Sequence, residues 1–218
     1  MKTRKICLSL IAASSLLIAA LPSHAGLVLT LDAGNGNKIT VTDGGVGDMS
    51  AAVGAISWAG SLGSWIFNFT AGLSNSPAIA GPATLQLTSL NATSGRGGSL
   101  TITLEEDNLL MPNGTNMGAT SYFGGTTMGN VTFESRLNGM TIGGLTSGPG
   151  AYSGTSTAAV DTSNGFTLTQ IATITQVGAG STGFSMITSV PEPATLGLLG
   201  LGLIGLAFAK RRKQAQQR

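Results

Sequence analysis

Five side chains with oxygen donors crowd into one Gly-rich stretch: Asp32, Asn35, Asn37, Asp43 and Asp48. Hard oxygen ligands on loops of this kind suit Ca²⁺, which takes about six to eight oxygens. Asp and Asn are also the common turn residues, because their side chains bond the backbone one or two residues on. The spacing alone leaves both readings open. A second cluster, Glu105-Glu106-Asp107, together with Glu134, offers the carboxylate pair that glycoside hydrolysis needs. Neighbouring residues on a strand point to opposite faces, so Glu105 and Glu106 cannot both reach one substrate, and a solvated strand end is the simpler reading. Trp58 and Trp65 could stack on sugar rings, although each sits in an apolar run where core packing is the default.

Other chemistry is excluded by residue type. The chain has one Cys, Cys7, and one His, His24, both before Gly26. Ser-His-Asp and Cys-His catalysis and zinc sites built on His or Cys have no residues in the body. No disulfide can brace it either. The formal charge of +2 is misleading in the same way. Between Gly26 and Val190 the only basic residues are Lys38, Arg96 and Arg136, against eight acidic ones, a net charge of −5. The basic residues gather at the two ends, so the overall pI is no sign of nucleic-acid binding, and no nucleic-acid partner is expected.

The elements that must position these residues read as strands. Leu27–Leu31 and Lys38–Thr42 flank the turn 32–37, and Leu85–Thr93 and Ser99–Glu105 flank the turn 94–98. Ala51–Ala59 and Ser64–Thr70, separated by Gly60–Gly63, place Trp65, Phe67 and Phe69 on one face. Asn130–Leu137, Met140–Leu145, Phe166–Gln176 and Gly183–Ser189 complete the set, and Asn108–Thr127 reads as a long surface loop. Short strands, frequent glycine turns and period-two alternation predict an all-β fold, an antiparallel β-sandwich of jelly-roll type over residues 26–189. The Thr pairs Thr40/Thr42, Thr101/Thr103 and Thr167/Thr169 raise a flat ice- or polysaccharide-binding surface, for which their spacing along the chain is too irregular. Four Asn-x-Thr sequons, at Asn68, Asn91, Asn113 and Asn130, are expected by chance in a chain so rich in Asn and Thr.

Both ends read as addresses. Lys2, Arg4 and Lys5 precede an apolar run, Ile6–Leu21, and Ser23-His24-Ala25 offers a small-x-small cleavage site between Ala25 and Gly26. Residues 1–25 are therefore expected to be a signal peptide, read by the secretion translocon and signal peptidase. At the other end, residues 190–218 have three parts. Val190-Pro191-Glu192-Pro193 is stiff and extended, because two prolines restrict the backbone around one carboxylate. Leu196–Ala209 is an uninterrupted apolar run, expected to form a single transmembrane helix. At about 1.5 Å per residue its 14 residues cover roughly 21 Å of a ~30 Å hydrocarbon core, so flanking residues must contribute. Lys210, Arg211, Arg212 and Lys213 form the stop-transfer cluster of the tail 210–218 and place it in the cytoplasm.

This order of motif, apolar helix and Arg-rich end resembles the PEP-CTERM sorting signal of Gram-negative bacteria, with Pro191, Glu192, Pro193 and Arg211-Arg212 in matching positions. The same tail also goes by the name of an ice-binding protein C-terminal domain. The resemblance implies recognition by an exosortase-type membrane protease. It further implies an inner-membrane precursor that becomes a cell-surface or extracellular protein accompanying exopolysaccharide and biofilm. The run Gly44–Asp48 also has a partial likeness to the calcium-binding nonapeptide repeats of secreted toxins, but its Asp comes one position early and the run does not recur. The expected function is that of a non-enzymatic surface or matrix protein. The alternative is a carbohydrate-binding jelly roll supported by calcium at Asp32, Asn35, Asn37, Asp43 and Asp48.

Overall fold

The computed structural model describes residues 26–75, 82–110 and 114–191, apart from the side chains of Phe69 and Leu90. Every regular element among them is a strand: β1 (Leu27–Asp32), β2 (Lys38–Thr42), β3 (Ala55–Leu62), β4 (Trp65–Ser74), β5 (Ala83–Ser94), β6 (Gly98–Leu109), β7 (Met117–Thr127), β8 (Asn130–Leu137), β9 (Met140–Ser147), β10 (Gly150–Val160), β11 (Phe166–Gln176) and β12 (Gly180–Val190). They form two six-stranded antiparallel sheets. Sheet A runs β2-β1-β6-β11-β8-β9 and sheet B runs β10-β7-β12-β5-β4-β3. The last eight strands pair as one long ribbon folded on itself: β5 with β12, β6 with β11, β7 with β10 and β8 with β9. That nesting, alternating between sheets, is the jelly-roll arrangement. The hairpin β1–β2 widens sheet A and β3–β4 widens sheet B on the same flank.

Alternation builds the core. Leu27, Leu29 and Leu31 of β1, and Leu100, Ile102 and Leu104 of β6, are all at most 1% exposed. Each such side chain contributes about 1.5–3 kcal/mol through burial. Phe133 packs against Phe123, Phe184 and Tyr152 at centroid distances of 5.8, 5.2 and 5.5 Å. The two-residue turn Asn138-Gly139 between β8 and β9 has positive φ at both positions, 50° and 78°, as a type I′ hairpin requires.

Three elements differ from the sequence reading. Residues 51–54 form a turn, closed by the Ala55 N–H donating to the Ala52 carbonyl at 3.2 Å, and β3 continues through Gly60 by a bulge after Trp58. The stretch read as a loop, 108–127, holds the whole of β7, and only 110–116 connect it to β6. Strand β10 has no counterpart among the expected strands. Both β7 and β10 are poor in β-branched and large apolar residues, yet neighbours bury the alternate positions of β7 and partly cover those of β10. The signal peptide 1–25 and the helix 196–209 lie outside the described residues. Among the described residues no helix is long and apolar enough to cross a membrane.

Charge is segregated. The strand-borne charged residues, Asp32, Lys38, Glu105, Glu106, Asp107, Glu134 and Arg136, all belong to sheet A, and the six strands of sheet B carry none.

Two glutamines of β11 reach across the sandwich. Gln170 Nε2 donates to the Leu85 carbonyl at 2.9 Å and to Thr188 Oγ1 at 3.0 Å. Thr188 also shares hydrogen bonds with Ser121 at 3.2 Å and Ser135 at 2.9 Å. Gln176 Nε2 donates to Thr182 Oγ1 at 3.0 Å, and Thr182 shares a 2.7 Å bond with Thr127. Thr188→Val keeps the shape but removes the hydroxyl that three buried side chains use, and we expect it to cost about 2–3 kcal/mol. Thr84→Val, on the outer face of sheet B, should stay within about 0.5 kcal/mol. Urea unfolding of the purified protein compares them, and equal midpoints would remove the network from the account of stability.

Candidate functional site

Antiparallel pairing sorts the connections into two ends. Turns 33–37, 63–64, 95–97, 128–129, 148–149 and 177–179 close one end. The other end gathers the longer connections 43–54, 75–82 and 110–116 with the start of β1 and the finish of β12. Gly26 and Val190 therefore leave the sandwich at the same end. Val190, which the sequence reading grouped with the sorting segment, is fully buried as the last residue of β12, paired with Ala83, and Pro191 after it is exposed. Ala25, Glu192, Pro193, Lys210, Arg211, Arg212 and Lys213 lie outside the described residues.

The five candidate calcium ligands are not gathered into one site. Asp32, Asn35 and Asn37 occupy the β1–β2 turn, whereas Asp43 and Asp48 follow β2 at the opposite end of the sandwich. Five residues of strand separate the two groups, roughly 17 Å at about 3.4 Å per residue. Each group performs turn chemistry. Asp32 Oδ1 accepts from the Gly34 N–H at 2.8 Å, and Asn37 Nδ2 donates to the Gly34 carbonyl at 3.1 Å. Asp43 Oδ2 accepts from the Gly54 N–H at 2.7 Å. Asp48 Oδ1 accepts from Ser50 and Ser57 at 2.8 and 3.0 Å, and its Oδ2 accepts from Gly44 at 3.0 Å. Among the described residues no three His, Cys, Asp or Glu side chains converge as a metal site would require.

The carboxylates of sheet A are dispersed too. Glu105 faces outward and accepts from Thr169 Oγ1 at 3.1 Å, while Glu106 faces the interior at 1% exposure. Glu106 is thus a core residue rather than part of a solvated strand end, because β6 keeps its alternation beyond Leu104. Glu134 holds an ion pair with Arg136 at 2.7 Å and accepts from Thr141 Oγ1. The Arg136 hydrogen bond, then that of Thr141, lowers the Glu134 pKa. Trp58 and Trp65 are buried, at 9% and 1% exposure, and serve the core.

Clefts open at both ends of the sandwich. A cleft of about 590 Å³ between turns includes Asp32, Asn35, Ser64, Gly97 and Thr101, with buried Trp65 behind them. One of about 420 Å³ includes Leu137, Met140, Ile142, Val160 and Asp161, at the end where the chain leaves. In the second cleft Ser163 Oγ donates to Asp161 Oδ1 at 2.6 Å, and the Ser163 N–H donates to the same oxygen at 2.9 Å, a local turn that lowers the Asp161 pKa. Register also yields what spacing along the chain concealed. Thr101, Thr173, Thr132 and Thr146 stand side by side on four strands of sheet A, although the row continues into Asp32 and Lys38.

The segment that begins at the end of β12 settles the address. Residues 189–213 match the family model of the PEP-CTERM protein-sorting motif. The chain carries a PEP-CTERM sorting signal. The PEP-CTERM motif marks an exported, surface-directed protein processed at the membrane by an exosortase. No curated protein matches the chain. Among solved structures, the body is similar to TmCBM61 in complex with β-1,4-galactotriose, at TM-score 0.37 and 6% identity, over 67% of this chain and 92% of that one. It is also similar to the PA14 sugar-binding domain from an RTX adhesin, at TM-score 0.35 and 12% identity, over 75% and 90% of the two chains. At such scores neither transfers a binding site to this chain.

Asp48 ties together the loop at the end where the chain leaves the sandwich. Partial burial pushes its carboxyl up, but the N–H donors of Ser57, Ser50 and Gly44 outweigh this and hold its pKa below the ordinary value. A lowered carboxylate stabilises the fold fully above the unfolded pKa, about 3.9, and the contribution is lost as pH falls through the folded value. Asp48→Asn should cost about 1–2 kcal/mol at pH 7 and flatten the loss of stability on acidification. Unfolding midpoints measured from pH 7 to pH 2 check this, and parallel curves for both proteins would contradict it.

Proposed function

We propose that the protein is a non-enzymatic component of the cell surface or extracellular matrix, delivered by PEP-CTERM sorting in the company of exopolysaccharide. The observation that carries this reading is the continuity between body and signal. The matched motif starts at residue 189, inside β12, so the sandwich is followed at once by its own sorting segment. With Gly26 and Val190 at one end, the precursor of a Gram-negative cell would be held at the inner membrane by residues 196–209 with its far end pointing away. Removal of residues 1–25 by signal peptidase would turn the Gly26 amide, which donates to Asp107 Oδ1 at 2.7 Å, into an ammonium beside a carboxylate. That exchange strengthens the bond.

The non-enzymatic part is supported by the state of the carboxylates. General-acid catalysis in glycoside hydrolysis needs a raised carboxyl pKa, and that of Glu134 is lowered by its bonds to Arg136 and Thr141. Glu105 and Glu106 lie on opposite faces of their sheet.

Intact mass and location of the protein from its native cells, beside a strain without the sorting protease, test the proposal. We expect a species starting at Gly26 and ending near Pro193, found outside the inner membrane only when the protease is present. Glu192→Ala should accumulate at the inner membrane with residues 210–218 intact. Retention of that tail in both strains would reduce the segment to a plain anchor.

A further inference from the structure

The outer face of sheet B has a composition that its own packing does not demand. No strand of the sheet carries a charged residue, although the body has a net charge of −5. Near its middle, register sets Thr155, Tyr122, Ile187, Gln86 and Leu73 in one row across β10, β7, β12, β5 and β4. Tyr122, Ile187 and Leu73 are 51%, 36% and 46% exposed. Beside that row lie hydroxyls: Thr88 shares a 3.2 Å bond with Ser185 and accepts from Gln86 Nε2 at 3.2 Å.

Glycines complete the pattern. Gly118 and Gly124 point outward on the strand that carries Tyr122, and neither has a positive φ, whereas Gly183 lies at the irregularity between β12 and β5. A Cβ would meet nothing within 4 Å at Gly118 and only one ordinary contact, at 3.8 Å, at Gly124. Glycine weakens a strand, so where neither sterics nor backbone angle requires it, the open space points to the close approach of another molecule.

We propose that this face binds an uncharged polysaccharide, its chain crossing the strands over Tyr122, Ile187 and Leu73. The proposal rests on the surface or matrix reading above and names the polymer and the face. Strand spacing of about 4.8 Å is comparable with one hexose unit, so a chain in this direction sets one sugar over each strand. The Tyr122 ring offers an apolar face with a polar tip for the C–H side of a sugar. Short hydroxyl side chains and Gln86 serve the sugar hydroxyls. Nucleic acid, anionic lipid and acidic polymers would need cations that the sheet lacks. A second copy would need a larger connected apolar patch, whereas here the adjacent pair Tyr122 and Ile187 is parted from Leu73 by Gln86.

Affinity electrophoresis of the protein purified from its native cells, in gels containing hydroxyethylcellulose, galactomannan, dextran or alginate, tests the proposal. Retardation is expected with at least one neutral polymer and not with alginate. Tyr122→Ala and Ile187→Ser should weaken it at least tenfold, while Tyr122→Phe stays within threefold. Gly124→Val should abolish retardation without lowering the melting temperature, a combination that no structural role produces. Absence of retardation by all three neutral polymers, or equal retardation of all variants, overturns the assignment. So does sedimentation showing a dimer that Tyr122→Ala dissociates, which would give the face to a second copy. Location is scored separately: variants that lose binding yet leave the inner membrane keep the sorting reading intact, and unprocessed wild type defeats that reading alone.

Discussion

The hydrogen bonds from Gln170 and Gln176 to Thr188 and Thr182 settle a question that apolar alternation leaves open. A strand with period-two burial keeps its apolar face inward after a slip of two residues, so alternation alone tolerates several registers. In β11 and β12, six residues separate the two glutamines and six separate their threonine partners, and the strands face each other across the core. A slip of two in either strand breaks both bonds at once and strands polar groups in an apolar layer. That penalty, rather than any large gain from the bonds themselves, selects the native pairing. Because β11 is central in sheet A and β12 in sheet B, the remaining strands inherit their alignment from this pair.

Fixing β12 fixes where the chain leaves. Strand β12 is paired on both sides up to Ser189, and Val190 after it is still held by β5 through Ala83. Only five residues, 191–195, then separate the sandwich from the apolar run that begins at Leu196. A processing enzyme must therefore read its motif close against a folded domain. In that short segment the sequence Pro191-Glu192-Pro193 restricts the backbone on either side of its one carboxylate.

The fold class was legible because Leu and Ile alternate with Thr along β1, β6 and β11, and because Gly-rich turns such as 32–37 and 94–98 divide the strands. The sorting signal was legible because its three parts depend on local sequence. Strands β7 and β10 were not. Met117-Gly-Ala-Thr-Ser and Gly150-Ala-Tyr-Ser-Gly carry little intrinsic β-preference, and only their neighbours in the folded sheet make them strands. The candidate calcium residues misled for a related reason. Nearness in sequence places Asp32 and Asp48 together, whereas one strand between them sends them to opposite ends. The uncharged face could not be seen at all before strand order was known, since its rows draw residues from five separate segments.

Segregation of charge between the sheets follows from what each face must avoid. A thin sandwich that exposes two broad faces risks association through either one, and charges are the usual safeguard. Sheet A has that safeguard in Lys38, Glu105, Glu134 and Arg136. Sheet B relies on hydroxyls and glycines, which interrupt apolar contact without creating a field. Ions on that face would hold hydration water in place and impose a cost on any uncharged chain laid across it. A neutral, hydroxylated sheet keeps itself apart from other proteins while leaving the approach of a hydrated neutral polymer unopposed.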